Sequence, residues 1–202
     1  MNVNRLRRAS HLVFAFLLVL PLRAATAGEY TVAPGDKQNL VVFESSAPLE
    51  TFQGKTHAVS GFVILDPSAL TDSITIEVSA DLASLDTGIS LRNKHMRENH
   101  LETETYPNAV FRGGRIVESS WKALTPGEPA TLKVRGIMDL HGVTRELVVP
   151  VVVTAAAGGR LAVAARFDIT LSDYKISRPK FLMLKLNETQ KVSVDLVLVR
   201  KD

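Results

Sequence analysis

Alternation with a period of two dominates the chain. From Ser73 to Leu82, the residues Ile74, Ile76, Val78, Ala80 and Leu82 share one phase, and Thr75, Glu77, Ser79 and Asp81 share the other. Successive side chains of a strand point to opposite faces, so this segment predicts a strand with one buried face. The pattern returns from Ala130 to Leu140, with Leu132, Val134, Gly136, Met138 and Leu140 in phase. It returns again from Arg160 to Leu171 through Val163, Ala165, Phe167, Ile169 and Leu171, and near the C-terminus through Val192, Val194, Leu196 and Leu198. Less regular runs rich in Val, Ile and Phe predict further strands over 39–45, 56–65, 108–118 and 144–154. Pro150 lies inside the last of these and has no N–H for a ladder, so it predicts an edge or a bulge. His141 and Gly142, alone between Leu140 and Val143, predict a two-residue hairpin. Gly88 to Glu102 breaks the period and predicts a short helix carrying Leu91, Met96 and Leu101. After Pro179, the residues Phe181, Leu182, Leu184 and Leu186 predict an apolar loop or strand.

Eight strands joined mostly by short turns, with one helix, predict a mainly β fold: a closed eight-stranded antiparallel barrel. A two-sheet sandwich is the alternative. A barrel of about eight strands is just wide enough to be filled by its own side chains or to hold one small ligand.

The N-terminal segment follows a different logic. Arg5, Arg7 and Arg8 precede an apolar run from His11 to Leu20, and Ala25-Thr26-Ala27 offers a small-x-small cleavage site. This is the layout of a secretory signal, and the apolar run is shorter than the roughly 20 residues a membrane-spanning helix needs. The expected organisation is a removed signal over 1–27 and a single domain over 28–202, delivered to the periplasm. Of the 24 Lys and Arg, Arg5, Arg7, Arg8 and Arg23 leave with the signal, so 20 basic side chains face 21 acidic ones. A near-neutral domain without a basic run gives no electrostatic reason to expect nucleic acid. With no cysteine in the chain, disulfides, thiol chemistry and lipoprotein anchoring are excluded.

Two stretches carry more than class. One contains Asp86-Thr87-Gly88, Arg92-Asn93-Lys94-His95-Met96-Arg97 and Tyr106-Pro107-Asn108-Ala109-Val110-Phe111; the other runs from Val134 through His141-Gly142-Val143-Thr144 to Leu147. In order and spacing they resemble the YceI-like family, over roughly Glu29 to Val199. The resemblance implies a lipocalin-like eight-stranded barrel whose lumen holds a polyisoprenoid, a quinone or a fatty ligand. It also implies a homodimer as a common assembly, although the sequence marks no dimer surface. Three positions depart from the family pattern. Asn39 to Glu44 replaces an opening that usually carries a histidine, Asn93 stands where aspartate is usual, and Phe167 to Tyr174 replaces a D-R-S-D-F-G-like strand.

Lumen candidates follow from the inward phases: Phe43, Ile76, Val78, Phe111, Val134, Met138, Phe167, Ile169, Val194 and Leu196. Periodicity alone describes a solid core just as readily. Two features favour open volume: aromatic residues make up only 6% of the chain, and Ala80, Gly136 and Ala165 are small inward positions. Arg92 and Arg97, on the predicted helix, are candidates to hold an anionic head group, against the plainer reading of a solvated charged face. His95 and His100 are five residues apart around Glu98, a spacing that separates them around a helix, so no metal site is expected. No nucleophile elbow or phosphate-cradling glycine loop is present, and Tyr106 before Pro107 reads as a packing anchor. The expectation is a non-enzymatic carrier without a cofactor. The alternatives are an envelope interaction or structural protein with a solid core, and a lipid hydrolase or isomerase.

Overall fold

The computed structural model describes residues 27–47, 50–70, 73–181 and 184–201. The expected signal, up to Thr26, lies outside the described residues. The strands are β1 (Gly28–Val32), β2 (Leu40–Ala47), β3 (Glu50–Thr56), β4 (Val59–Leu65), β5 (Ser73–Asp81), β6 (Asn108–Ser119), β7 (Pro129–Leu140), β8 (Val143–Ala156), β9 (Arg160–Thr170), β10 (Lys180–Phe181), β11 (Leu184–Lys185) and β12 (Thr189–Arg200). One helix, α1 (Ser90–His95), continues into a single π-helical turn, Met96–His100.

The sheet runs β1-β4-β5-β6-β7-β8-β9-β12, and β1 pairs with β12 to close an eight-stranded antiparallel barrel. The expected barrel is therefore present, but β1, which the pattern did not predict, takes the place in the ring of the predicted strand over 39–45. Tyr30, Thr31 and Val32 of β1 pair with Arg200, Val199 and Leu198, while β2 and β3 form an added hairpin alongside the first half of β12. Sequence periodicity missed β1 because five residues are too few to display an alternation, and it missed β3 because Glu50 to Thr56 is largely polar.

Closure is confined to one end, called the floor here. β8 pairs with β9 only over Val151–Ala156, and above that point β8 has β7 alone as a partner. Pro150 stands where the two strands part, so its missing donor removes nothing from the β8–β9 ladder, in line with the expected edge position. On the opposite side β3 has no ladder with β5 and meets the segment after it through a bridge between Lys55 and Asp86 and a hydrogen bond between the Thr56 and Ser84 hydroxyls. The upper part of the barrel thus consists of two sheets, β4–β8 and β9–β12–β2–β3. A short 3-10 turn, Leu171–Tyr174, covers one seam: Arg145 Nε donates to Asp173 O at 2.8 Å and His141 Nδ1 lies 3.0 Å from Tyr174 O. The segment leading into α1 covers the other.

Local chemistry supports these bends. The predicted hairpin at His141-Gly142 forms with positive φ at both residues (53° and 68°), the geometry of a two-residue turn that follows strand twist. Tyr106 packs against it, its ring 4.6 Å from that of His141, which makes it the anchor its sequence position suggested. Gly113 and Gly114, both at positive φ, mark the break in register between Arg112 and Arg115 where β6 bends around the barrel. Asn39, 2% exposed, ties the β1–β2 connection to β12: its Nδ2 donates to Ala33 O (2.6 Å) and its Oδ1 accepts from Val197 N–H (2.8 Å).

Candidate lumen and head-group site

Two apolar clusters fill the inside. The floor cluster contains Tyr30, Val32, Leu132, Val134, Leu161, Leu196 and Leu198, all nearly sealed. The upper cluster contains Leu82, Leu85, Met138, Leu140, Ile169, Leu171, Tyr174 and Ile176. All ten lumen candidates belong to these clusters, so each faces inward. Val134, Met138, Ile169 and Leu196 are buried, whereas Phe43, Ile76, Val78, Phe111, Phe167 and Val194 are only half-buried. A side chain that faces the interior and still keeps accessible surface is not fully covered by its neighbours, so the middle and upper interior are packed less tightly than the floor. Phe111 touches both clusters. Its ring occupies the place a β-carbon would take on Gly136, and Phe43 does the same over Gly54. The small inward residue Gly136 is therefore covered by an aromatic ring rather than open, and the free surface lies beside the rings.

The helix is held by a compact polar lock. Asp86 accepts from Gly88 N–H (2.8 Å) and Asn93 Nδ2 (2.7 Å), and Asn93 Oδ1 accepts from Thr87 N–H (2.8 Å) and Thr87 Oγ1 (2.6 Å). An asparagine at this position can donate to one partner and accept from the other, which a carboxylate cannot do. Those donors hold the Asp86 carboxyl below its ordinary value, the Gly88 amide being the largest cause. Arg92 completes the lock: Nε donates to Thr87 Oγ1 (2.9 Å), Nη2 to Thr87 O (2.9 Å) and Nη1 to Glu50 Oε1 (2.7 Å), with the guanidinium 3.9 Å from the centroid of Phe52. The contacts of Arg92 are those of a strut between the helix and the β2–β3 hairpin. Arg97 differs. Its Nη2 donates to Leu85 O at 3.0 Å, but its Nε is sealed from solvent and has no partner among the described residues.

Two further sealed atoms lack partners among the described residues, the Ser45 hydroxyl and the Tyr174 hydroxyl; these residues are 1% and 2% exposed. An unpaired buried polar group costs about 1–3 kcal/mol, so such atoms are rare unless something is meant to meet them. Burial pushes the Tyr174 phenol above its ordinary value, so it remains a hydroxyl at neutral pH. Sequence reasoning passed over both residues. Ser45 did carry a signal, a polar side chain in the inward phase of Val41 and Phe43; Tyr174 lies in an aperiodic turn and carried none. The fourth sealed atom, His141 Nε2, lies 3.6 Å from Glu102 Oε1. A separate open groove of mixed polar and apolar lining runs between β3 and the Asp86–Gly88 turn past Phe52, Gln53, Lys55 and His57.

The match to known families covers nearly the whole barrel: the YceI-like domain model aligns with residues 30–198. The chain belongs to the YceI-like family. Solved structures share its fold. A polyisoprenoid-binding domain from Saccharophagus degradans implicated in plant cell wall breakdown superposes with a TM-score of 0.67 at 20% identity, covering 87% of this chain and 100% of that one. Burkholderia cenocepacia BcnA superposes at 0.61 and 22% identity, with coverages of 79% and 95%; a Campylobacter jejuni YceI protein does so at 0.53 and 16%, with 71% and 81%. No curated protein matches the chain. In this YceI-like barrel the polar atoms of Asp86-Thr87-Gly88 and Arg92-Asn93 are engaged with one another and with β3. Those residues, which carried the resemblance, build the cover rather than line the lumen. His100, the other candidate of that segment, donates from Nδ1 to Ser177 O at 3.0 Å and so joins the π-helical turn to the strand-free segment before β10.

Proposed function

We propose that this chain is a periplasmic carrier that holds a long-chain amphiphile, such as a polyisoprenoid or a quinone, in its barrel by burial and without chemistry. The observation that carries the reading is the run of half-buried, inward-facing Phe43, Ile76, Val78, Phe111, Phe167 and Val194 above a sealed apolar floor. Each 100 Å² of apolar tail removed from water there would gain about 2.5 kcal/mol. Among the described residues no helix is long and apolar enough to cross a membrane. The polyisoprenoid-binding name of the Saccharophagus domain supports the same ligand class.

The test is native mass spectrometry of the protein taken from its own cells, followed by organic extraction and lipid analysis. One isoprenoid or fatty species per chain is the expected result. A bare chain that also takes up no added quinone or prenyl lipid would refute the proposal. A second reading, docking to a protein of the envelope, is favoured by outward-facing Ile137, Val148 and Val152 and the nearby Trp121, which is 55% exposed. The same spectra would show it as a stable complex of defined mass.

A further inference from the structure

The sealed polar atoms gather at one end of the barrel. Tyr174 packs in the upper cluster with Ile169, Leu171 and Met138. Arg97 holds the carbonyl of Leu85, a member of the same cluster. Ser45 lies on the inward face of β2, two residues beyond Phe43 and one beyond the Glu44–Lys191 pair, toward the upper end. The floor contains no atom of this kind among the described residues. A barrel that only filled itself would gain by placing apolar side chains at Ser45 and Tyr174, since nothing among the described residues satisfies either hydroxyl. Arg97 Nε–H can only donate, whereas the two hydroxyls can donate or accept, so a partner serving all three must present acceptor oxygen.

We infer that Ser45, Arg97 and Tyr174 form the head-group site of the barrel, and that the site selects amphiphiles ending in an acceptor oxygen (a carbonyl, hydroxyl or carboxylate) over tails ending in an ammonium or in nothing. The inference rests on the carrier reading and adds the orientation of the ligand: head under α1 and the Leu171–Tyr174 turn, tail toward the floor. It assigns no head-group role to Arg92, whose three nitrogens each already donate to Thr87 or Glu50.

The experiment is competition against a fluorescent fatty probe on the delipidated full-length mature chain. The competitors share one C20 isoprenoid tail and end in an alcohol, a carboxylate, an ammonium or a plain hydrocarbon. The alcohol and the carboxylate are expected to bind about tenfold tighter than the ammonium and the hydrocarbon, the worth of one or two hydrogen bonds. Tyr174→Phe and Ser45→Ala should each narrow that ratio several-fold while leaving hydrocarbon binding unchanged. Tyr174→Phe removes only one oxygen, and Ser45→Ala is an independent second probe should either alter folding. Equal affinities across the series in the wild type, or ratios unmoved in both variants, would overturn the head-group site and leave the carrier standing. Failure of every competitor, the probe included, would overturn the carrier reading and the site with it.

Discussion

Replacing Arg92 separates two roles that the sequence could not tell apart. As a strut, Arg92 makes one ion pair with Glu50, two hydrogen bonds to Thr87 and a stacking contact with Phe52, and its side chain is 22% exposed. A half-solvated ion pair is worth about 0.2–1 kcal/mol, each hydrogen bond about 0.5–1.5 kcal/mol, and the cation–π contact about 0.5–1 kcal/mol. These terms share one side chain and do not add fully, so Arg92→Ala is expected to cost about 2–4 kcal/mol. Arg92→Lys keeps a charge near Glu50 but has no fork for Thr87, and should cost about half as much. Urea unfolding reads this as a midpoint lowered by about 1–2 M for the alanine variant. Hydrogen exchange should speed up at 86–93 before anywhere else in the barrel, because the lock there loses its longest arm. An alanine variant within about 0.5 kcal/mol of wild type, combined with a collapse in ligand affinity, would refute the strut and return Arg92 to the head group.

Two other predictions test the frame and the cover. Asn39→Ala leaves Ala33 O and Val197 N–H unpaired in the core and should cost about 2–4 kcal/mol in equilibrium unfolding; Asn39→Asp should do no better, because it sets a carboxylate against the Ala33 carbonyl. A wild-type-like midpoint for both variants would show that water or a shifted loop replaces the asparagine. His100 is held below its ordinary value of 6.5, chiefly by burial, with the Ser177 carbonyl opposing and His95 reinforcing the shift. The unfolded chain therefore takes up this proton first as the pH falls, and stability should drop as pH falls from about 6.5 toward the folded value. Comparing unfolding midpoints at about pH 7.5 and about pH 5.5 checks this: His100→Asn should show a smaller loss on acidification than the wild type, and an equal loss would remove His100 as the cause.

Most of the wall could be read directly from the chain. Long strands such as β5, β7, β9 and β12 bury one face each, and a period-two pattern is the local signature of that burial, so their existence and their inward residues follow from composition along a few residues. The His141-Gly142 turn and the anchoring role of Tyr106 were legible for the same reason, since both act on near neighbours in sequence.

What only the tertiary structure decided are relations between distant segments. Which strand closes the ring depends on β1 meeting β12 across 170 or so residues, and neither partner encodes the other. The parting of β8 from β9, which leaves a seam at the upper end, is set by how far two ladders run in register and not by either strand's pattern. The division of Arg92 from Arg97, identical in type and nearly adjacent, arises because Glu50, Thr87 and Phe52 happen to converge on one while, among the described residues, Leu85 O alone accepts from the side chain of the other. Ser45 and Tyr174 become notable only once burial has stripped both of water and supplied no partner, a condition that exists in the folded state alone.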